Sequence, residues 1–130
     1  MQRKDFIKAV GMGSLGMIIK PQFSDNMTKN IFVHHVYFWL KNPQSAEDKS
    51  RLIAGLEKLS RVKTIDMFHI GQPAGTNREV IDTSYSISWM VIFKDKAAQD
   101  SYQVDPIHLK FVEECSVLWQ KVVVYDSVDV

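Results

Sequence analysis

The run IFVHHVYFWL, Ile31 to Leu40, is built from β-branched and aromatic side chains around two histidines, the composition of a strand. Side chains alternate between the two faces of a strand. His34, Val36, Phe38 and Leu40 therefore share one face, and His35, Tyr37 and Trp39 the other. Both faces carry bulky, largely apolar groups, so neither suits bulk water. Asn42-Pro43 ends the run. Ser45 with an acid three residues on, at Asp48, then opens a helix, and Leu52, Ile53, Leu56 and Leu59 recur at helical spacing.

Further along, Thr64–Ile70 (TIDMFHI) reads as a second strand, and the turn-rich residues 71–83 lead to a third, Ser84–Phe93 (SYSISWMVIF). Strict alternation in the third strand groups Tyr85, Ile87, Trp89, Val91 and Phe93 on one face. Asp95–Tyr102 is a short helix. Pro106 opens another, where its missing N–H costs nothing; Ile107, Phe111, Cys115 and Leu118 form its inner stripe, and Trp119 is placed on it as a core residue. Lys121–Ser127 (KVVVYDS) is the last strand. The order is β-α-β-β-α-β, an α+β, ferredoxin-like arrangement with an antiparallel four-stranded sheet. Helices cover one sheet face only. A bare apolar face would be a large exposed patch, so the pattern predicts a homodimer, two sheets packed face to face about a two-fold axis.

The chain has 130 residues, 45% of them apolar and 11% aromatic, enough for one domain with a real core. Sixteen Lys+Arg against 15 Asp+Glu leave a net charge of +1, which argues against a broadly cationic nucleic-acid binder. No apolar run reaches the ~18 residues of a spanning helix, so no stable membrane anchor is expected. A single cysteine, Cys115, excludes an internal disulfide framework and any multi-cysteine metal centre. Residues 1–26 differ from the rest. Arg3, Lys4 and Lys8 precede an uncharged, glycine-containing stretch from Ala9 to Ile19, closed by Lys20-Pro21. This is the layout of an export signal, and Arg3-Lys4-Asp5-Phe6-Ile7-Lys8 is similar to a twin-arginine motif with Lys in the second basic slot. The expectation is an exported protein, periplasmic or secreted, with residues 27–130 as its domain. The alternative is a cytoplasmic protein with a disordered N-terminal segment.

Several motifs taken together resemble one family. They are His34-x-Val36-x-Phe38-x-Leu40-Lys41, Gly71-x-Pro73, Ser84-Tyr85, Phe93-Lys94-Asp95, Tyr102-x-x-x-Pro106-x-His108-x-x-Phe111-Val112 and Trp119-x-x-Val122-Val123-Val124-Tyr125-Asp126. In order and spacing this set is similar to the stress-responsive α/β-barrel (Dabb) domain, from about residue 31 to 127. The resemblance implies a dimeric α+β barrel, in agreement with the strand parity. It implies little about activity: most members have no assigned reaction, a few plant members are similar to polyketide cyclases that use a His of the Pro-x-His segment with a nearby Tyr, and distant relatives include monooxygenases. A shared fold does not choose among these.

His108 lies in the opening turn of the last helix, where the helix dipole disfavours a positive charge. A neutral imidazole suits general acid–base work. Tyr102, six residues earlier, supplies a hydroxyl to polarise a carbonyl, and the pair matches the positions of the cyclase-like relatives. His34, on the Val36/Phe38 face, is the supporting group. Phe38, Tyr85, Ile87, Trp89 and Phe111 are expected to line a pocket between sheet and helices, with His69 near its mouth, for a small hydrophobic or aromatic molecule. His35 points to the other face and is expected in a dimer contact. No HxH, HxxxH or nearby carboxylate pattern supports a metal, and no cofactor is expected. The functional expectation is proton transfer beside a carbonyl, of cyclase or isomerase type. The alternatives are a non-catalytic ligand-binding or stress-related interaction protein, and a monooxygenase.

Overall fold

The computed structural model describes residues 26–130; the segment expected to be an export signal, Asn26 aside, lies outside the described residues. Four strands and three helices follow in the order β1 (Phe32–Leu40), α1 (Ala46–Leu59), β2 (Met67–Gly71), β3 (Ile87–Phe93), α2 (Lys96–Gln103), α3 (Pro106–Cys115) and β4 (Trp119–Val128), with a 3-10 turn at Ser116–Leu118 before β4. The sheet is antiparallel throughout, in the order β2-β3-β1-β4. The ferredoxin-like α+β fold is therefore as expected. None of the helices described is long and apolar enough to cross a membrane.

The second crossover is two helices, as the spacing predicts, because the residue before a proline is pushed out of helical geometry; boundaries elsewhere move for local reasons. Asp105 has φ −66° and ψ 138°, and its carboxylate caps the new helix by accepting from the Ile107 N–H at 2.8 Å. Trp119 opens β4 instead of continuing α3: the 3-10 turn intervenes, and the Leu118 carbonyl accepts from the Lys41 N–H at 2.9 Å, drawing the chain onto the sheet. Finally, β3 begins at Ile87, not Ser84. The Ser86 N–H donates to the Phe38 carbonyl at 2.8 Å while its hydroxyl accepts from the Leu40 N–H at 3.1 Å. This bend interrupts the two-residue alternation before the regular strand starts.

The even residues of β1 are buried under the helices, as are Ile87, Trp89, Val91 and Phe93 of β3. Leu52, Leu56 and Leu59 of α1, with Tyr102, Phe111 and Cys115, complete the core. The odd residues of β1 are only half-buried, and no helix among the described residues covers their face. The Ser45 hydroxyl caps α1 by accepting from the Asp48 N–H at 3.1 Å. Gly55 sets how closely α1 and α3 approach: a Cβ there would lie 2.4 Å from Cys115 Sγ and 3.3 Å from the Phe111 ring.

Ala is preferred over Gly in a helix by about 1 kcal/mol, yet overpacking a core costs about 1–3 kcal/mol. Gly55→Ala is therefore expected to lower stability in urea denaturation. In a Cys115→Ala background the same change should become neutral or stabilising, because the clashing sulfur is gone.

Candidate functional site

The antiparallel register sets His34 of β1 directly opposite Asp126 of β4. Directly opposed residues on one face stand about 5 Å apart at Cβ, and here the side chains meet, with His34 Nδ1 2.6 Å from Asp126 Oδ1. The imidazole is buried, its side chain 7% exposed, while the carboxylate is 43% exposed at the sheet edge. A carboxylate accepts and does not donate. Nδ1 therefore carries the proton, and the lone pair sits on Nε2.

Tyr102, in the last turn of α2, is 1% exposed. Its ring centre lies 5.7 Å from that of His34 and 4.8 Å from that of His108. The Trp89 indole N–H donates to its hydroxyl oxygen at 3.0 Å. An indole can only donate, so the phenol keeps its own proton for another acceptor. Burial pushes the Tyr102 phenol far above the usual tyrosine range, against the smaller lowering by Trp89; the group is a donor and not a base at neutral pH.

His108 sits in the first turn of α3, and its Nδ1 is buried without a hydrogen-bond partner. Its pKa lies below the ordinary histidine value, first through burial and next through the nearby His34; the Gln103 backbone and Asp105 pull the other way. The neutral imidazole expected from the helix dipole is thus favoured mainly by desolvation.

These groups share one end of a cavity of about 150 Å3 between sheet and helices. The other end is apolar, formed by Val36, Phe38, Phe111, Val112, Trp119, Val122 and Val124. Larger depressions occur along the α1–α3 seam and on the outer sheet face, but the titratable groups converge in this smaller one.

Six of the expected residues thus meet: His34, Tyr102, His108, Phe38, Trp89 and Phe111. Three do not. Ile87 is core packing and is absent from the cavity wall. Tyr85 stands on the opposite sheet face, its ring 4.9 Å from that of Tyr37, because the bend at Ser86 breaks the alternation that had grouped it with Ile87. His69 pairs with Met90 in the β2–β3 ladder and so shares the outer face, away from the cavity mouth. Asp126 and Trp119 were missed. An acid ending the apolar face Val122/Val124 was the available signal for Asp126, but its partner depends on a register that spans the whole domain. Among the described residues, no three His, Cys, Asp or Glu side chains converge as a metal site requires.

The family model described as the stress responsive A/B barrel domain matches residues 32–129. No curated protein matches the chain. Among solved structures, a Dabb family protein with a ferredoxin-like fold from Mesorhizobium loti is 24% identical, covering 77% of this chain and 97% of its own, at a TM-score of 0.65. A hydroxynitrile lyase from Passiflora edulis is 19% identical, covering 78% and 95%, at 0.67. A dimeric protein of unknown function with a ferredoxin-like fold from Bacteroides fragilis is 15% identical, covering 78% and 98%, at 0.60. At these identities the likeness is one of fold.

Tyr102→Phe leaves the buried Trp89 N–H without its acceptor. An orphaned buried donor costs about 1–3 kcal/mol, so this single-atom deletion should lower the unfolding free energy from urea denaturation by that much. A second deletion in the Trp89→Phe background should cost clearly less.

Proposed function

The chain belongs to the stress responsive A/B barrel domain family, and from that premise we propose that it is a homodimeric acid–base catalyst acting on a small hydrophobic or aromatic carbonyl compound. The observation that carries this reading is the His34–Asp126 pair at 2.6 Å beside a cavity whose polar end also holds Tyr102 and His108. A buried imidazole oriented by a carboxylate is the arrangement of a general base, because the carboxylate fixes the tautomer and stabilises the imidazolium that forms.

In this reading the ligand lies with its apolar body against Phe38, Phe111 and Trp119. His34 Nε2 removes a proton from the carbon beside a carbonyl. The C–H electron pair moves onto the carbonyl oxygen as an enolate, which accepts a hydrogen bond from the Tyr102 hydroxyl. Return of the proton from His34 to the far carbon of a conjugated enolate completes an isomerisation; attack of the enolate carbon on a second carbonyl, whose oxygen then takes the proton from the His34 imidazolium, completes a cyclisation. His108, neutral and with an unpartnered Nδ1, offers a second hydrogen-bonding position on the ligand. His34 is thus the base and His108 the support, the reverse of the roles read from the sequence. The fold neighbour from Passiflora edulis is a hydroxynitrile lyase. Removing the hydroxyl proton of a hydroxynitrile, so that its electron pair forms the carbonyl as the bond to the nitrile carbon breaks and cyanide leaves, needs a base of the same kind.

The dimer reading rests on the outer sheet face. Tyr37, Trp39, Met90, Ile92 and Val123 stand there only partly buried, with no helix over them, and the Bacteroides fragilis neighbour is dimeric.

The test is proton–deuterium exchange at the α-carbon of aryl methyl ketones, followed by NMR. Wild-type protein is expected to accelerate exchange, and His34→Gln and Asp126→Asn should each lose about 10²–10⁴-fold of that acceleration. Saturable ligand binding with no exchange, and no effect of either substitution, would leave the non-catalytic binding reading in its place.

A further inference from the structure

We infer that association through the outer sheet face is gated by protons: His35 and His69 must be neutral for two sheets to pair, and their protonation separates the subunits. The inference rests on the homodimer reading above and adds its regulation.

The register places the two imidazoles on one face. His35 of β1 and His69 of β2 both stand opposite Met90 of the intervening β3, so they flank it, with Cα atoms about 10 Å apart at the usual strand spacing. His35 stacks on Tyr37, ring centres 4.5 Å apart, and its Nδ1 lies 3.3 Å from the Tyr37 hydroxyl. A two-fold pairing of this face would gather four imidazoles in one interface.

What matters is which charges are there to meet them. Beside them on this face stand Tyr37 on β1, Lys121 and Tyr125 on β4, and Tyr85 and Asp82 from the β2–β3 connection, a connection that also carries the exposed pair Arg78 and Glu79. From β3 come only Ser88, Met90 and Ile92. Asp82 lies with Lys121 at the Trp39 end, about 13 Å along β1 from His35. Beyond the strand ends, Lys41 and Lys94 add positive charge. Asp129 is committed to the Asn30 and Ile31 N–H groups. On the opposite face His34 holds the Asp126 carboxylate. No strand residue of the outer face is acidic among the described residues, so an imidazolium buried there has no carboxylate partner from the strands that carry it. Such a charge is expensive to desolvate.

The sign follows directly. The His35 pKa lies below the ordinary histidine value, first through burial, then through His69 and His34. A second copy adds burial and two more imidazoles, pushing in the same direction. The neutral form is therefore held by the dimer. Its contribution is complete above the pKa of His35 in the separate subunit, itself below the ordinary histidine value of about 6.5, and is lost as the pH falls from there toward the still lower value in the dimer. Each imidazole that is neutral in the dimer and protonated in the monomer raises Kd by up to about tenfold per pH unit in that window.

Sedimentation velocity over a dilution series at about pH 8 and about pH 5.5 tests this, with far-UV circular dichroism confirming a folded chain at both. The dimer Kd is expected to rise at least about tenfold at the lower pH, and the double variant His35→Gln/His69→Gln to show no such rise. Should the double variant fail to associate, His69→Gln alone, on the exposed edge strand, should still reduce the pH dependence. A wild-type dimer whose Kd is the same at both pH values overturns the gate and leaves the dimer reading standing, as does a His69→Gln dimer with an undiminished pH dependence. A folded monomer at both pH values overturns both.

Discussion

The two-residue period of β1 is the constraint on which the rest of this protein depends. It divides Phe32–Leu40 into a fully buried set and a half-buried set, and the helices can cover only the first. One packing decision therefore fixes two things at once. The even residues choose where the core lies. The odd residues become a second face, rich in aromatic and apolar groups, that the fold itself cannot shelter. Nothing in the helix layer can relieve that second requirement, because moving β1 by one residue would exchange the faces and expose the first set instead.

The cavity is a consequence of the same geometry at the sheet edge. The α2–α3 layer lies over β3 and β1, leaving β4 at its margin, so Val122 and Val124 of β4 are partly open while their β1 partners Phe38 and Val36 are buried. A wall with one dry side and one open side gives a ligand both an apolar bed and a way in. The His34–Asp126 pair straddles that boundary: the imidazole is on the dry side, where a lone pair is not hydrated away, and the carboxylate is near solvent, where its charge is least costly. Tyr102 and Trp89 form the fully buried counterpart, where the indole donates to the phenol and leaves the phenol's own proton to be offered.

The sequence was most legible where one element settles its own pattern. Element order, the Ser45 cap, the helix start at Pro106 and the inward face of β1 all follow from local spacing. Gathering His34, Tyr102 and His108 needed one further step, that the even face of β1 meets the helices. Legibility failed where a local irregularity or a distant register decides. Tyr85 followed the alternation of Ser84–Phe93 on paper, but Ser86 spends its N–H and hydroxyl on Phe38 and Leu40 and breaks the period. Trp119 fitted the helical stripe of α3, yet three residues of 3-10 turn were enough to deliver it to β4. Asp126 could not be matched to His34 without knowing which residues of two strands, 92 positions apart, stand side by side.

The neighbours His34 and His35 show how far a strand separates functions. They are adjacent in sequence, yet one points into a cavity where a carboxylate anchors it and the other onto an aromatic face where Tyr37 stacks on it. Burial and His69 lower the His35 pKa more than His34 does, although His34 is its neighbour in the chain. A helix would have set the same pair about 100° apart on one surface, each felt more directly by the other. The strand instead gives each imidazole its own surroundings, so that the chemistry of the cavity and the contacts of the outer face can be tuned by different neighbours.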